Sequence, residues 1–224
     1  MYNRVFWLAY AANTMLMVCV SILFRYANFV QLRVGEEFEF SLGLIVGVGM
    51  VGALAMRGIL GLAIDRYGAA RVWMISLAVV IASLLLHWAI TPRPGLVFDG
   101  LVYFARILQM VGLAGAFGAS LTFISLRAPE GRIGETVGML GTSGFIGMAT
   151  GPFIGDWLFA NGAITEGHVQ RMFLMATAAA GVSLALTWCA SYRSKRVHID
   201  HNRRPPMLWL LKRCYPGALL SCAA

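Results

Sequence analysis

Apolar residues run along this chain in long stretches, broken by short polar clusters. The stretches fall at roughly 5–27, 42–64, 72–91, 100–126, 136–159 and 169–191. Each reaches the ~18 residues that an α-helix needs to cross a hydrocarbon core of ~30 Å. They are apolar on every side, whereas a helix at the surface of a soluble protein keeps one polar face. The breaks hold residues that end helices and turn chains: Gly35-Glu36-Glu37 and Glu39 in the first, Thr91-Pro92-Arg93-Pro94-Gly95 in the third, and Asn161-Gly162 with Glu166-Gly167 in the fifth. The second and fourth are short and basic, Asp65 through Arg71 and Arg127 through Arg132. The pattern predicts an all-α integral membrane protein of six transmembrane helices.

Composition agrees. The 224 residues are 59% hydrophobic and 12% charged, about half the roughly 25% charge of a soluble domain. The net charge of +8 would suit nucleic acid, but its placement excludes that partner. Seven of the eighteen Lys and Arg residues follow Tyr192, and most others lie between apolar stretches. With the amino terminus in the cytoplasm, Arg4, Arg57, Arg66, Arg71, Arg127, Arg132 and the seven tail charges are inside, thirteen against four (Arg25, Arg33, Arg93, Arg171) outside. The positive-inside rule then places both termini in the cytoplasm of a multi-pass protein of the plasma or inner membrane. The expected organisation is a six-helix bundle over 1–191, a basic cytoplasmic linker over 192–206, and a cut-off seventh span or interfacial segment over 207–224. No short apolar core leads to a cleavage site, so the first stretch reads as a span rather than a signal peptide. Four cysteines lack metal-binding or disulfide-framework spacing; no metal site, cofactor or catalytic group is expected.

Glycine is concentrated in the second stretch (Gly43, Gly47, Gly49, Gly52, Gly58, Gly61) and the fifth (Gly138, Gly141, Gly144, Gly147, Gly151, Gly155). Spacings of three and four put many of these on one face, where helix backbones in lipid can approach closely. The two positions correspond if stretches one to three and four to six are copies of one unit, which predicts two three-helix repeats.

Three motifs carry a family resemblance. After the second stretch comes Gly61-Leu-Ala-Ile-Asp65-Arg66-Tyr-Gly68-Ala-Ala-Arg71, which resembles the signature loop of the major facilitator superfamily, with Ala69 and Ala70 where that loop has its first basic residues. The fourth stretch holds Arg106-Ile-Leu-Gln109-Met-Val-Gly112, similar to the family's Arg-x-x-Gln-Gly pattern apart from Met110. The fifth ends in Gly147-Met-Ala-Thr-Gly151-Pro152-Phe-Ile-Gly155-Asp156, similar to a Gly-Pro-x-x-Gly motif of the family's exporters, with Asp156 in place of the last glycine. The resemblance implies the amino-terminal half of a major facilitator fold. It also implies a secondary active transporter of a small solute, of the proton-coupled efflux type. It makes Gly61, Asp65, Arg66, Gly68 and Arg71 a gating loop, and Gly147, Gly151, Pro152 and Gly155 a packing motif. Asn13, Arg106 and Gln109, with Tyr10 beside them, are the candidates for a solute or proton pathway, since a charge inside a span faces a polar cavity far more often than lipid.

Two other readings bear on function. Gly141-Thr142-Ser143-Gly144 matches the serine motif of rhomboid proteases, but the next histidine downstream, His168, is expected ~20 Å away in depth at 1.5 Å per residue. A full family member has twelve spans, so the chain is expected to be a truncated product, or a half that pairs with another half or with a second copy of itself. Its expected surroundings are membrane lipid and a small solute.

Overall fold

The computed structural model describes residues 2–34, 38–92, 96–159 and 164–193. The linker beyond Arg193 and the 207–224 segment lie outside the described residues, as do Gly35-Glu36-Glu37, Arg93-Pro94-Gly95 and Asn161-Gly162. All regular structure among the described residues is helical: α1 (Arg4–Ile22), a 3-10 turn (Leu23–Arg25), α2 (Tyr26–Val34), α3 (Phe38–Tyr67), α4 (Ala69–Ile90), α5 (Leu96–Ser125), α6 (Ile133–Leu158) and α7 (Glu166–Tyr192). Six helical paths are long and apolar enough to cross a membrane, with Arg4–Arg33 counting as one. That first path outruns the expected 5–27, because the chain stays helical beyond its apolar stretch through Gln31 and Arg33.

Local chemistry sets the helix ends. The Asn3 side chain caps α1 by accepting from the Phe6 amide at 2.9 Å, and Thr165 caps α7 through the amide of His168, each satisfying one of the free amides that open a helix. Gly68 alone separates α3 from α4, at φ 89°, a backbone region that residues with a Cβ rarely adopt. Pro152 lies inside α6, and the helix runs through it.

Helix packing obeys the predicted repeat. α5 packs on α3 and α4, α1 packs on α6 and α7, and α4 packs on α7. Exchanging the first three spans for the last three leaves this neighbour pattern unchanged, as an inverted pair of three-helix units requires. Around the bundle the order of spans is α3, α5, α4, α7, α1, α6, so α3 and α6 stand at the two ends with few contacts between them and the rest beyond α5 and α1. The buried core lies on α1, α4, α5 and α7, with Leu16, Trp73, Leu77, Phe123 and Phe173 almost fully enclosed. α3 and α6 instead expose Phe40, Val51, Leu54, Phe145, Phe153 and Trp157.

The glycines divide accordingly. A Cβ on Gly147 or Gly151 would strike α1, at Thr14, Met17 and Val18 or at Ser21, and one on Gly155 would press on Arg25. The Ser21 hydroxyl closes this contact by donating to the Gly147 carbonyl at 2.9 Å. In the other repeat, Gly49 and Gly52 meet α5 at Arg106, Met110 and Ile107. Gly43, Gly47, Gly61, Gly138 and Gly141 face open space. The expectation that the glycine-rich faces pack within the bundle therefore holds for one part of each helix. In particular, the close approach expected at Gly61 does not occur here. Gly112 and Gly115 of α5, absent from the expected packing set, seat α5 on Ser76 and Val80 of α4.

Candidate functional site

Arg106 and Gln109 share one face of α5, three residues apart, and the Arg106 guanidinium donates to the Gln109 side-chain oxygen at 2.9 Å. Arg106 is 7% exposed, so its charge is inside the bundle rather than extended to an interface. Gly49 gives its stem room, since any Cβ there would lie 3.0 Å from the Arg106 Cγ. The guanidinium carbon lies 4.4 Å from the centroid of the Tyr26 ring on α2, a cation–π contact that strengthens as water is excluded.

Tyr26 is itself held. Its hydroxyl is 3.1 Å from Nε2 of His87 on α4, and Nδ1 of His87 is 2.8 Å from the Ser83 carbonyl. A carbonyl can only accept, so Nδ1 carries a proton; in the neutral ring Nε2 then accepts from the Tyr26 hydroxyl. Phe173 of α7 stacks on the imidazole with centroids 5.1 Å apart, and Phe29 meets both rings edge-on. Four elements, α2, α4, α5 and α7, thus fix one chain of contacts from Arg106 through Tyr26 and His87 to the Ser83 backbone.

This network leaves polar atoms over. No carboxylate forms an ion pair with Arg106 among the described residues, and the Arg106 Nε and Gln109 Nε2 have no hydrogen-bond partner. A charge at the centre of a span costs ~2.5 kcal/mol or more, and a buried donor without an acceptor costs about 1–3 kcal/mol.

Asn13, the third candidate, lies elsewhere. Its side-chain amide donates to the Ser143 hydroxyl at 2.8 Å, joining α1 to α6, and a turn away the hydroxyls of Tyr10 and Thr142 meet at 3.0 Å on the open side. Ser143 is therefore engaged by Asn13 and not by a histidine, while His168 sits at the start of α7 against Thr165.

At the Gly68 end, Asp65 lies in the last turn of α3, Arg66 reaches over the Tyr67 ring at 5.6 Å, and Arg71 is exposed in the first turn of α4. At the same end Tyr2 donates to Glu135 at 2.8 Å, which raises the Tyr2 phenol above its ordinary pKa. Arg127 lies over the Phe123 ring at 3.7 Å, and burial lowers its pKa. At the opposite, Thr91 end an ion pair joins Arg25 of the first span to Asp156 of α6. Asp156, which departs from the exporter motif, thereby ties together the helices that Gly147 and Gly151 bring into contact. Sequence spacing did not point to Tyr26, His87, Phe29 or Phe173. Their only advance signal was their polarity or aromaticity at matching depths near the Thr91 end.

The six long apolar helices define a multi-pass membrane protein. The family model of the Major Facilitator Superfamily matches residues 5–222, and the chain belongs to that superfamily, whose members are transporters of small solutes. No curated protein and no solved structure matches it.

Proposed function

We propose that the chain is one six-helix bundle of a proton-coupled efflux carrier, and that Arg106 and Gln109 form part of its solute or proton pathway. The observation that carries this reading is the buried, underpaired Arg106. Lipid or a purely structural role would favour an apolar residue there, whereas a pathway requires a charge held ready for a passing anion or proton acceptor. Asn13 supports the pathway from the α1–α6 side, behind the exposed Tyr10 and Thr142 hydroxyls. The Gly147-Gly151-Pro152-Gly155 face favours efflux, since the resemblance ties that motif to antiport.

Asp65 serves as a cytoplasmic gate together with Arg66, Gly68 and Arg71, holding a basic group or a helix N-terminus across an interface. Transport requires a second six-helix bundle against the open sides of α3 and α6, because alternating access moves one bundle against another. The Gly68 end and both termini face the cytoplasm. Impermeant thiol reagents applied from outside should label a cysteine at Thr165 and not at Gly68 or Gly131; labelling at Gly68 would reverse the orientation. In a transport-competent assembly Arg106→Ala should abolish flux and Arg106→Lys, which keeps charge without the planar fork, should reduce it in part. Full flux in the Ala variant would remove Arg106 from the pathway.

A further inference from the structure

Between Glu39 and Asp65, α3 carries a single charged residue, Arg57. Gly68 alone joins α3 to α4, so the two helices leave one membrane surface together. α4 has 22 residues, about 33 Å of helix at 1.5 Å per residue, which matches a hydrocarbon core of ~30 Å. Arg57 precedes Gly68 by eleven residues, about 17 Å along α3. Its backbone therefore stands at mid-depth. Arg57 belongs to the core of the membrane and not with the inside charges, whose excess survives its removal.

α3 turns this residue away from its own bundle. Gly49, Gly52 and Leu60 meet α5, whereas Met50 and Leu54 are exposed and Gly61 faces open space. Arg57 falls on that second face, at the helical spacing 50, 54, 57, 61, and is exposed. It makes no hydrogen bond, ion pair or ring contact among the described residues. Arginines near helix ends reach the headgroup layer with their long stems. Arg57 has no such exit. Both surfaces are about 15 Å away, and its Cα–Cβ bond tilts toward Phe38, away from the Gly68 end. The Arg106 centre does not use it, since the Arg106 stem meets α3 at Gly49, eight residues nearer the other end.

We propose that Arg57 is a solute-binding residue at mid-membrane, and that the solute it takes is an anion, a carboxylate or an inorganic oxyanion. The proposal rests on the reading that a second bundle covers the open side of α3, because solute sites of such carriers lie near mid-depth between bundles. A fixed cation on that wall draws an anion and repels a cation, and its planar fork takes two anionic oxygens at once. Lipid headgroups, half a membrane away, do not supply that anion.

The arginine reagent hydroxyphenylglyoxal, applied to open membrane vesicles that hold the full chain, tests this with mass spectrometry of each arginine. It reads water access and occupancy rather than flux, so a chain that fails to transport still gives an answer, and failure here leaves the transport reading standing. Arg57 should be modified, as the exposed Arg71 is. Acetate, benzoate or sulfate should slow modification of Arg57 at least tenfold and leave that of Arg71 unchanged, and benzylamine should protect neither. The proposal is overturned if Arg57 stays unmodified while Arg71 reacts, which would leave it to lipid or to a carboxylate of the second bundle. It is equally overturned if none of the three anions slows the reaction at Arg57, or if benzylamine slows it as much. Equal slowing at Arg71 would also overturn it, as an effect of bulk charge.

Discussion

Asn13 and Arg106 sit on the equivalent helices of the two repeats, α1 and α5, each beside the contact with a glycine-bearing partner helix, α6 or α3. Their chemistry diverges from there. Asn13 is neutral and meets Ser143 at hydrogen-bond distance, and the small side chains around it let α1 and α6 close on Gly147 and Gly151. Arg106 is charged, has no carboxylate among the described residues, and rests on a π face and one amide oxygen. A repeat built only for packing would keep both sites alike. The departure of one copy from apolar or neutral character shows where the fold carries a cost that packing does not explain, and that is the site where function is sought.

The largest effect expected from this comparison is structural and falls on the neutral side. Gly147→Leu should abolish cooperative melting of the bundle, because its side chain would run into the α1 backbone at Thr14 and Val18. Gly43→Leu, facing open space, should melt like wild type. Equal melting of the two variants would break the assignment of the α1–α6 seam.

Arg106→Ala should show the reverse profile, loss of flux with a melting temperature no lower than wild type, since an underpaired buried charge is removed rather than a partnered one. A large drop in melting temperature would make Arg106 a structural residue. Asp65→Asn should lower flux several-fold with insertion and melting intact; unchanged flux would reduce the loop to a topology signal. The smallest effect belongs to Asn13→Ala, a loss of about 0.6–1 kcal/mol of stability from one interhelical hydrogen bond. A loss of several kcal/mol would mean that the neutral site bears more than a single bond.

Hydropathy made the helices legible before any coordinates, because spanning segments must be long and apolar and their breaks polar. The repeat was legible in glycine placement, and the packing order of α1, α3, α4, α5, α6 and α7 obeys it. The use of each glycine was not legible: Gly49 and Gly43 look alike in sequence, and only the azimuth of α3 against α5 separates a packed position from an open one. Arg106 and Gln109 stood out because a charge inside a span is costly. Their surroundings did not, since Tyr26, His87 and Phe173 lie tens of residues apart and are joined only when α2, α4 and α7 converge. Asn13 stood out as a polar residue in a span, but its partner, Ser143 of α6, did not, because only the packing of α1 on α6 brings the two together.

The central claim is that this bundle moves solute only against a second bundle and through Arg106. Reconstitution into liposomes loaded with labelled monocarboxylates, amines and neutral sugars tests it most directly. Chain density is set from one copy per vesicle upward, and crosslinking through Gly43→Cys and Gly141→Cys reports pairs of bundles. The account predicts flux of at least one solute only where crosslinked pairs form, and its loss in Arg106→Ala. Flux from vesicles holding a single uncrosslinked bundle, or undiminished flux in Arg106→Ala pairs, would contradict it.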